Sequence, residues 1–195
     1  MSDLQCPARV FLARHGETGY ESDLLLDHGG SLTPKGRVQA RGLGQRLTDE
    51  RIAHVYTSTL SRAVQTGELA AGVLGVEVTV REGLAELGVG DALGTPSGVG
   101  VFAPYVEAWL AGRLEERIPG GESGTEIAER VTAVLDDLAD RHRGEGILVV
   151  SHGGALLATL TVLAWRPGRP DLVENCAVAA LERDAAGWKL AAELS

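Results

Sequence analysis

Gly146-Ile147-Leu148-Val149-Val150-Ser151-His152-Gly153-Gly154 joins the most apolar run of the chain to two glycines that open a helical pattern. A short run of branched apolar side chains is typical of a buried strand. The helix that follows is expected to end at about Trp165. A buried strand that leads directly into a helix is the repeating unit of α/β proteins, so this stretch predicts the fold class.

The rest of the chain repeats this alternation of strands and helices. Further strands are predicted at residues 8–13, 54–57, 76–80, 177–182 and 188–193. Helices are predicted at residues 34–48, with Thr33 as N-cap, from an N-cap at Ser61 to about residue 74, and from a capping box at Ser123 to about residue 143. The pattern predicts a three-layer α/β sandwich, with a mostly parallel central sheet flanked by helices.

Residues 83–121 interrupt the alternation. They contain nine glycines and three prolines, and a single helical pattern at about residues 102–110. Such a run of turn-forming residues predicts a small lid or subdomain inserted into one domain that spans residues 1–195.

Composition excludes several classes of protein. The chain has 195 residues and a net charge of −9, which argues against a nucleic-acid-binding protein. It has no apolar run long enough for a membrane span and no secretory signal at its first residues, so no membrane partner is expected. Two isolated cysteines, Cys6 and Cys176, favour a reducing cytoplasmic location over a disulfide framework.

Three polar motifs follow predicted strands directly. They are Arg14-His15-Gly16-Glu17-Thr18, Ser58-Thr59-Leu60-Ser61-Arg62 and Ser151-His152-Gly153-Gly154. Because ligands of parallel sheets bind at the carboxyl ends of the strands, two histidines and two arginines are expected to converge there. A positive cluster in an acidic chain indicates an anionic ligand.

The same motifs suit a phosphate group. The planar arginine side chain donates two parallel hydrogen bonds, and the start of a helix offers backbone N–H groups and a positive dipole end. The glycines at 16, 153 and 154 would allow a ligand to approach the backbone closely.

The ordered motifs resemble those of the histidine phosphatase superfamily, which includes cofactor-dependent phosphoglycerate mutases and related phosphatases. The two further segments that match are Leu84-Ala85-Glu86 and Gly120-Gly121-Glu122-Ser123, and the likeness extends from residue 9 to about residue 160. The resemblance implies a phosphomonoester hydrolase that acts through a phosphohistidine on a small-molecule phosphate, without a metal ion or cofactor.

The resemblance also implies a role for each matching residue. His15 would be the nucleophile, Arg14 and Arg62 would hold the phosphoryl oxygens, and His152 would share their charge. Glu86 would be the general acid and then the general base, which calls for a raised pKa. Attack by His15 requires a neutral ring, so its other nitrogen is expected to donate to a carbonyl group. Candidates for contact with phosphate or substrate are Gly16, Thr18, Ser22 and Gly153.

Two departures from the family pattern bear on the substrate. Mutases of the family usually carry Trp-Asn after the first motif, where this chain has Tyr20-Glu21. Either the loop is displaced and Ser22 substitutes, or that phosphoryl contact is absent. Residues 87–112 contain no Lys or Arg, whereas mutases have basic residues there for the substrate carboxylate.

Seven apolar side chains occupy residues 87–112 instead, namely Val89, Leu93, Val99, Val101, Phe102, Tyr105 and Trp109. They would form either a core within the insert or the wall of a pocket for an apolar leaving group. The short chain and this segment favour a phosphatase over a mutase.

Other functions remain open at this stage. A serine hydrolase lacks its Gly-x-Ser-x-Gly motif around Ser151, and no histidine pair has metal-ligand spacing. A phosphoglycerate mutase, a phosphoprotein phosphatase and a catalytically silent phosphate-binding module stay as alternatives. Residues 162–165 and the last strands would form either a surface for a homodimer or part of the core.

Overall fold

A six-stranded mixed sheet forms the centre of the structure, a computed structural model that describes residues 6–96, 100–163, 174–184 and 187–194. The strands are β1 (Ala8–Arg14), β2 (Thr18–Gly19), β3 (Ser31–Leu32), β4 (Ile52–Thr57), β5 (Val78–Val80), β6 (Gly146–Ser151), β7 (Val178–Asp184) and β8 (Gly187–Leu194). The central sheet has the order β5-β4-β6-β1-β7-β8, while β2 and β3 form a separate two-stranded ribbon.

Five α-helices flank the sheet in the described part of the chain. They are α1 (Pro34–Arg46), α2 (Ser61–Leu74), α3 (Ala103–Leu110), α4 (Gly124–Arg141) and α5 (Gly153–Leu163). Short 3-10 turns at Thr48–Glu50, Glu82–Leu84 and Gly90–Ala92 connect them to neighbouring elements. The predicted caps at Thr33 and Ser123 are confirmed, since each side chain accepts a hydrogen bond from a backbone N–H in the first helical turn.

The register of the sheet brings the three motifs together. β5, β4, β6 and β1 run parallel, and β7 and β8 extend the sheet in antiparallel pairings. Arg14 pairs with Ser151, and Thr57 pairs with Val150, so β1, β4 and β6 end side by side. The predicted α/β sandwich is confirmed, and its carboxyl edge carries all three motifs.

Two apolar clusters, one on each face of the sheet, hold the layers together. Ile147 and Val149 of β6 pack with α4 and α5, whereas Leu148 and Val150 face the residues of α1 and α2. Every residue of β6 is buried, because a strand in the middle of a sheet is covered by helices on both faces. This explains why β6 is the most apolar run of the sequence.

The described residues of the segment 83–121 pack against α4 and α5. Trp109 of α3 is fully buried in the apolar cluster that includes α4 and α5, with Tyr105 packed against the same cluster. Leu93 and Val101 are exposed, and Val99 lies outside the described residues. Tyr105 and Trp109 therefore lie in a core that residues of the insert share with α4 and α5. That the segment acts as a lid stays a prediction.

Several boundaries differ from the sequence-based predictions. Ser61 is the first residue of α2 and not its cap, because its hydroxyl donates to the Gly30 carbonyl and Leu60 takes the cap position. α1 and α4 end earlier than expected, at Arg46 and Arg141. The predicted end of α5 at Trp165 lies outside the described residues, as do Ala164 and, between the last two predicted strands, Ala185 and Ala186.

Membrane spans were sought among the described helices. None of them is long and apolar enough to cross a bilayer.

Candidate functional site

The carboxyl edge of the sheet forms a pocket of about 570 Å³, whose lining includes Arg14, His15, Arg62 and Glu86. Arg14 ends β1 and His15 follows it, while Arg62 lies in the first turn of α2. His152 joins β6 to α5, and its ring centroid lies 5.1 Å from that of His15. His15, Arg62 and His152 are almost completely buried. The structure thus brings Arg14, His15 and Arg62 to one pocket, with His152 beside His15, as the motifs predicted.

His15 is held as a neutral ring with a defined tautomer. Its Nδ1 lies 2.8 Å from the carbonyl oxygen of Gly16, which accepts only, so the proton is on Nδ1 and the lone pair on Nε2. The pKa of His15 is lowered to about 3, chiefly by burial and also by the charges of Arg62 and Arg14, against the opposing effect of the Gly16 hydrogen bond. The expected hydrogen bond from His15 to a carbonyl is confirmed.

His152 has a hydrogen bond on the opposite nitrogen. Its Nε2 lies 2.6 Å from Oγ of Ser58, and that oxygen already accepts a hydrogen bond from the Leu60 N–H. Because the buried Ser58 hydroxyl has no other acceptor among the described residues, its proton is donated to Nε2, which leaves the proton of His152 on Nδ1. This Nδ1 is buried and has no hydrogen-bond partner among the described residues.

Burial also keeps His152 neutral. It lowers the pKa of His152 well below the usual range, with the Arg62 charge as the next cause. A neutral His152 offers a buried N–H donor and no positive charge, so the expectation that it shares the charge of the arginines is wrong.

The two arginines approach the pocket from different elements. Nη1 of Arg62 donates to the Gly29 carbonyl at 2.9 Å, and the Tyr20 ring lies 5.9 Å from its guanidinium carbon. A Cβ atom placed on Gly153 would lie 3.4 Å from Nε of Arg14, so Arg14 packs against the first residue of α5. Two permanent positive charges beside a neutral histidine form a site for a phosphoryl group.

Glu86 lies at the start of α5. Its Oε1 accepts hydrogen bonds from the backbone N–H groups of Leu87 and Ala155, both at 3.0 Å, and its Oε2 accepts from Gly154 at 3.2 Å. The helix N-terminus stabilises negative charge, which explains why a carboxylate is held there. Glu86 is thus part of the pocket, and its role as general acid stays a prediction.

An arginine that sequence reasoning missed anchors the Glu86 loop. Arg130 of α4 forms a two-pronged ion pair with Glu122, with Nε–Oε1 and Nη2–Oε2 distances of 2.6 and 2.9 Å. It also donates to the carbonyl oxygens of Gly83, Ala85 and Glu86 at 2.8 to 3.1 Å. The sequence did contain one sign of this contact. Arg130 lies two helical turns after the capping residue Ser123, so it is on the same face of α4 as the start of the helix, next to Glu122.

Four further residues were predicted to contact phosphate or substrate. Gly16 uses its N–H to donate to Thr66 Oγ1 at 3.0 Å, and Thr18 Oγ1 donates to the Gly16 carbonyl at 3.1 Å. Ser22 lines the pocket, with its Oγ accepting from the Leu24 N–H, and Gly153 begins α5. Their ligand contacts stay predictions.

Glycine at two motif positions is required by packing within the protein. A Cβ atom on Gly16 would lie 2.6 Å from the carbonyl oxygen of Gly36 in α1. A Cβ atom on Gly154 would lie 2.4 Å from the Leu87 side chain and 2.8 Å from the Glu86 carboxylate. Both motifs therefore keep glycine where neighbouring segments touch the backbone.

Glu21 turns its charge toward a loop. Its Oε2 accepts from the Gly30 N–H at 3.0 Å and its Oε1 from the Ser31 hydroxyl at 3.4 Å. The Gly30 hydrogen bond lowers the pKa of Glu21. The carboxylate therefore stays charged and is held by two local donors of the loop.

A metal site was sought in the same region. Within the described part of the chain, no group of three or more His, Cys, Asp or Glu side chains is placed to hold a metal ion. Glu82, the other glutamate near Glu86, is exposed and lines an adjacent depression of about 510 Å³ together with Glu122 and Arg130.

Comparison with known families gives a match over nearly the whole chain. Residues 10–193 match the family described as histidine phosphatase superfamily, branch 1. A curated relative from Yersinia enterocolitica, named "Probable phosphoglycerate mutase GpmB", is 33% identical over 189 residues, which are 92% of this chain and 87% of that protein.

Solved structures agree on the fold. A mycobacterial glucosyl-3-phosphoglycerate phosphatase is 25% identical, with a TM-score of 0.73, over 95% of this chain and 97% of that one. A phosphoserine phosphatase from Entamoeba histolytica, 23% identical with a TM-score of 0.73, covers 96% of this chain and 97% of its own, and shows the shared fold alone.

Proposed function

The chain belongs to the histidine phosphatase superfamily, and from that premise we propose that it hydrolyses small-molecule phosphomonoesters through a phosphohistidine on His15, without a metal ion. One observation carries the proposal. The Nδ1–H of His15 is fixed on the Gly16 carbonyl, so a neutral ring presents the Nε2 lone pair beside two arginines.

The first half of the reaction transfers the phosphoryl group to the enzyme. The Nε2 lone pair of His15 attacks phosphorus, and the bond from phosphorus to the leaving oxygen breaks as the Nε2–phosphorus bond forms. Glu86, protonated at this stage, gives its proton to the leaving oxygen, so a neutral alcohol departs.

The second half returns the enzyme to its starting state. The Glu86 carboxylate takes a proton from water as that water attacks phosphorus, and the Nε2–phosphorus bond breaks to release phosphate. His15 regains its lone pair and Glu86 regains the proton that it used.

Charge on the transferring group is met by three donors. The guanidinium groups of Arg14 and Arg62 supply two positive charges, and His152 supplies the Nδ1–H that lacks a partner within the described structure. Donors fixed before the reaction stabilise charge in the transition state without reorganisation. This set supplies what phosphoryl transfer requires of a protein in the absence of magnesium.

Phosphoglycerate mutase activity is the second candidate, and the name of the Yersinia relative favours it. The absence of Lys and Arg from residues 87–112 supports the phosphatase instead.

A cytoplasmic location and a homodimer are further parts of the proposal. Val162, which belongs to the suggested dimer surface, is exposed.

The test is hydrolysis of para-nitrophenyl phosphate between pH 4 and 9 in the presence of EDTA. Wild-type protein should release nitrophenol. The control variant His54→Ala should do so too, because His54 forms a hydrogen bond with Thr79 and lies outside the pocket. His15→Ala should not, and mass spectrometry should find acid-labile phosphate on His15 of the wild type alone. Activity that survives His15→Ala, or that EDTA abolishes, would overturn the mechanism. Conversion of 3-phosphoglycerate without phosphate release would establish the mutase.

A further inference from the structure

Apolar side chains form part of the wall of the pocket that holds the two arginines. Two loops supply it, residues 20–29 and 86–102, of which residues 97–99 lie outside the described part. Six apolar side chains contribute, namely Leu24, Leu25, Leu26, Leu87, Val89 and Phe102. If the phosphoryl group of a substrate binds to the two arginines as proposed, this wall is the surface available to its leaving group.

Hydrogen bonds join the two loops into one wall. The Leu25 N–H donates to the Thr95 carbonyl at 2.8 Å, and the Gly94 N–H donates to the Leu25 carbonyl at 2.9 Å. The Val89 N–H donates to Asp27 Oδ1 at 2.8 Å. The wall is therefore formed before substrate arrives, which reduces the entropy lost on binding.

The charges on this wall are negative. Among the described lining residues, the arginines and lysines are Arg14 and Arg62 alone, and both lie at the phosphate end. Besides Glu86, which is protonated while the ester is bound, the lining carries the carboxylates of Glu21 and Asp27 and the exposed imidazole of His28. A carboxylate on the leaving group would meet like charge and no cation there, which disfavours its binding.

The mouth of the pocket leaves apolar surface uncovered. Tyr20, Leu24 and Leu26 line it and are 63%, 46% and 38% exposed. Contact with an apolar group would remove this surface from water, and that removal favours binding.

From the wall, its charges and its exposed rim we infer that the enzyme selects phosphomonoesters of uncharged apolar alcohols, aryl or alkyl, and discriminates against leaving groups that carry a carboxylate. The inference deepens the proposed function and rests on it. It gives Asp27 and the leucines at 24–26 a part in specificity that the motifs do not assign.

Three substrates that differ in one substituent test the inference. Phenyl phosphate, 4-carboxyphenyl phosphate and 4-trimethylammoniophenyl phosphate share the ring and the ester oxygen. The value of kcat/KM should be highest for phenyl phosphate and roughly tenfold or more lower for the carboxylate. Equal or higher kcat/KM for the carboxylate overturns the inference, and highest kcat/KM for the trimethylammonium ester shows a site for cations instead.

A variant that gains a positive charge gives a second test, in which the enzyme is changed and the substrates stay the same. Leu24→Arg places a cation at the rim and should raise kcat/KM for the carboxylate relative to phenyl phosphate. Val38→Arg adds the same charge on an exposed residue of α1 outside the pocket lining, and should leave the ratio unchanged. An unchanged ratio in Leu24→Arg, with phenyl phosphate still hydrolysed, counts against the inference.

The outcomes separate the inference from the proposed function. If no ester is hydrolysed and no phosphohistidine forms, the phosphatase proposal fails and the inference falls with it. If phenyl phosphate is hydrolysed through phosphohistidine without discrimination against the carboxylate, the phosphatase stands and the inference alone is wrong.

Discussion

Oγ of Ser58 lies 2.6 Å from Nε2 of His152, and this hydrogen bond decides which nitrogen of His152 carries the proton. The neighbouring His15 has its Nδ1–H bonded to the Gly16 carbonyl. In both rings the proton is therefore on Nδ1. The nitrogen that is left for a ligand differs: in His15 it is Nε2 with its lone pair, and in His152 it is Nδ1 with its proton. In each ring, the hydrogen-bond partner of one nitrogen thus decides whether the other nitrogen can act as a nucleophile or as a hydrogen-bond donor.

Removal of the Ser58 hydroxyl is expected to lower kcat. In Ser58→Ala, Nε2 of His152 loses its donor, so the tautomer with the proton on Nε2 becomes populated and the Nδ1–H is lost. We expect kcat to fall roughly ten- to hundredfold, the scale for loss of one transition-state donor. Nitrogen NMR of the imidazole should show the change of tautomer.

Two further variants control for general damage. Ser58→Thr keeps the hydroxyl and should restore most of the activity. Thr159→Val removes a buried hydroxyl that bonds the Ala155 carbonyl inside α5, and should leave kcat and the tautomer of His152 as in the wild type. If Ser58→Ala retains full kcat, the tautomer is set by another group.

Arg130 should act on the rate through Glu86. Its hydrogen bonds to the carbonyl groups of the Glu86 loop are lost in Arg130→Met, so the carboxylate is expected to leave its position at the start of α5. We expect kcat to fall while KM changes little, because the phosphate-binding arginines are untouched. Arg117→Met is the matched control, since Arg117 pairs with Glu126 and does not contact the Glu86 loop.

A double variant tests whether Arg130 is a positioning residue. Arg130→Met combined with Glu86→Gln should be no slower than Glu86→Gln alone, since two residues that act as a unit are not additive. Full additivity of the two losses would show that Arg130 affects the rate by a separate route.

The requirement for Glu86 should depend on the leaving group. Nitrophenolate departs without a proton, whereas the more basic phenolate gains from one, so Glu86→Gln should slow phenyl phosphate about a hundredfold and nitrophenyl phosphate far less. Glu82→Gln, which changes the exposed neighbour, should leave both rates close to wild type. Equal losses for both substrates in Glu86→Gln would argue against general acid catalysis.

The lowered pKa of His15 makes folding stability depend on pH. Its pKa is about 3 in the folded protein against 6.5 in the unfolded chain, so between these values the unfolded chain binds more protons. Stability should therefore rise with pH from about 3 to 6.5 and fall on acidification. His15 alone should account for about 2 kcal/mol lost between pH 6.5 and pH 4.5.

Urea unfolding at pH 7 and pH 4.5 measures this dependence. His15→Asn lacks the titrating group and should lose less stability over the same interval than the wild type. In parallel, the imidazole NMR signals of wild-type His15 should not titrate between pH 5 and 8. Titration near pH 6.5 would mean that His15 is less buried than the structure has it.

The sequence was sufficient for the architecture of the domain and for the four central side chains. The alternation of apolar strands with capped helices is a local pattern, and the topology of parallel sheets then places the ends of β1, β4 and β6 at one edge. Prediction failed where a local signal was ambiguous. Ser61 resembles a cap by residue type, but its hydroxyl bonds Gly30, which is distant in sequence.

The sequence by itself determined that Arg14, His15, Arg62 and His152 meet at the carboxyl edge of a parallel sheet, because the strand and helix patterns depend on neighbouring residues and the ends of parallel strands lie at one edge. Only the tertiary structure decided that Ser58 fixes the tautomer of His152 and that Arg130 holds the loop of Glu86. These partners are 94 and 44 residues apart in sequence. Their hydrogen bonds, and the burial that lowers the pKa of His15, depend on distances through space that no local pattern encodes.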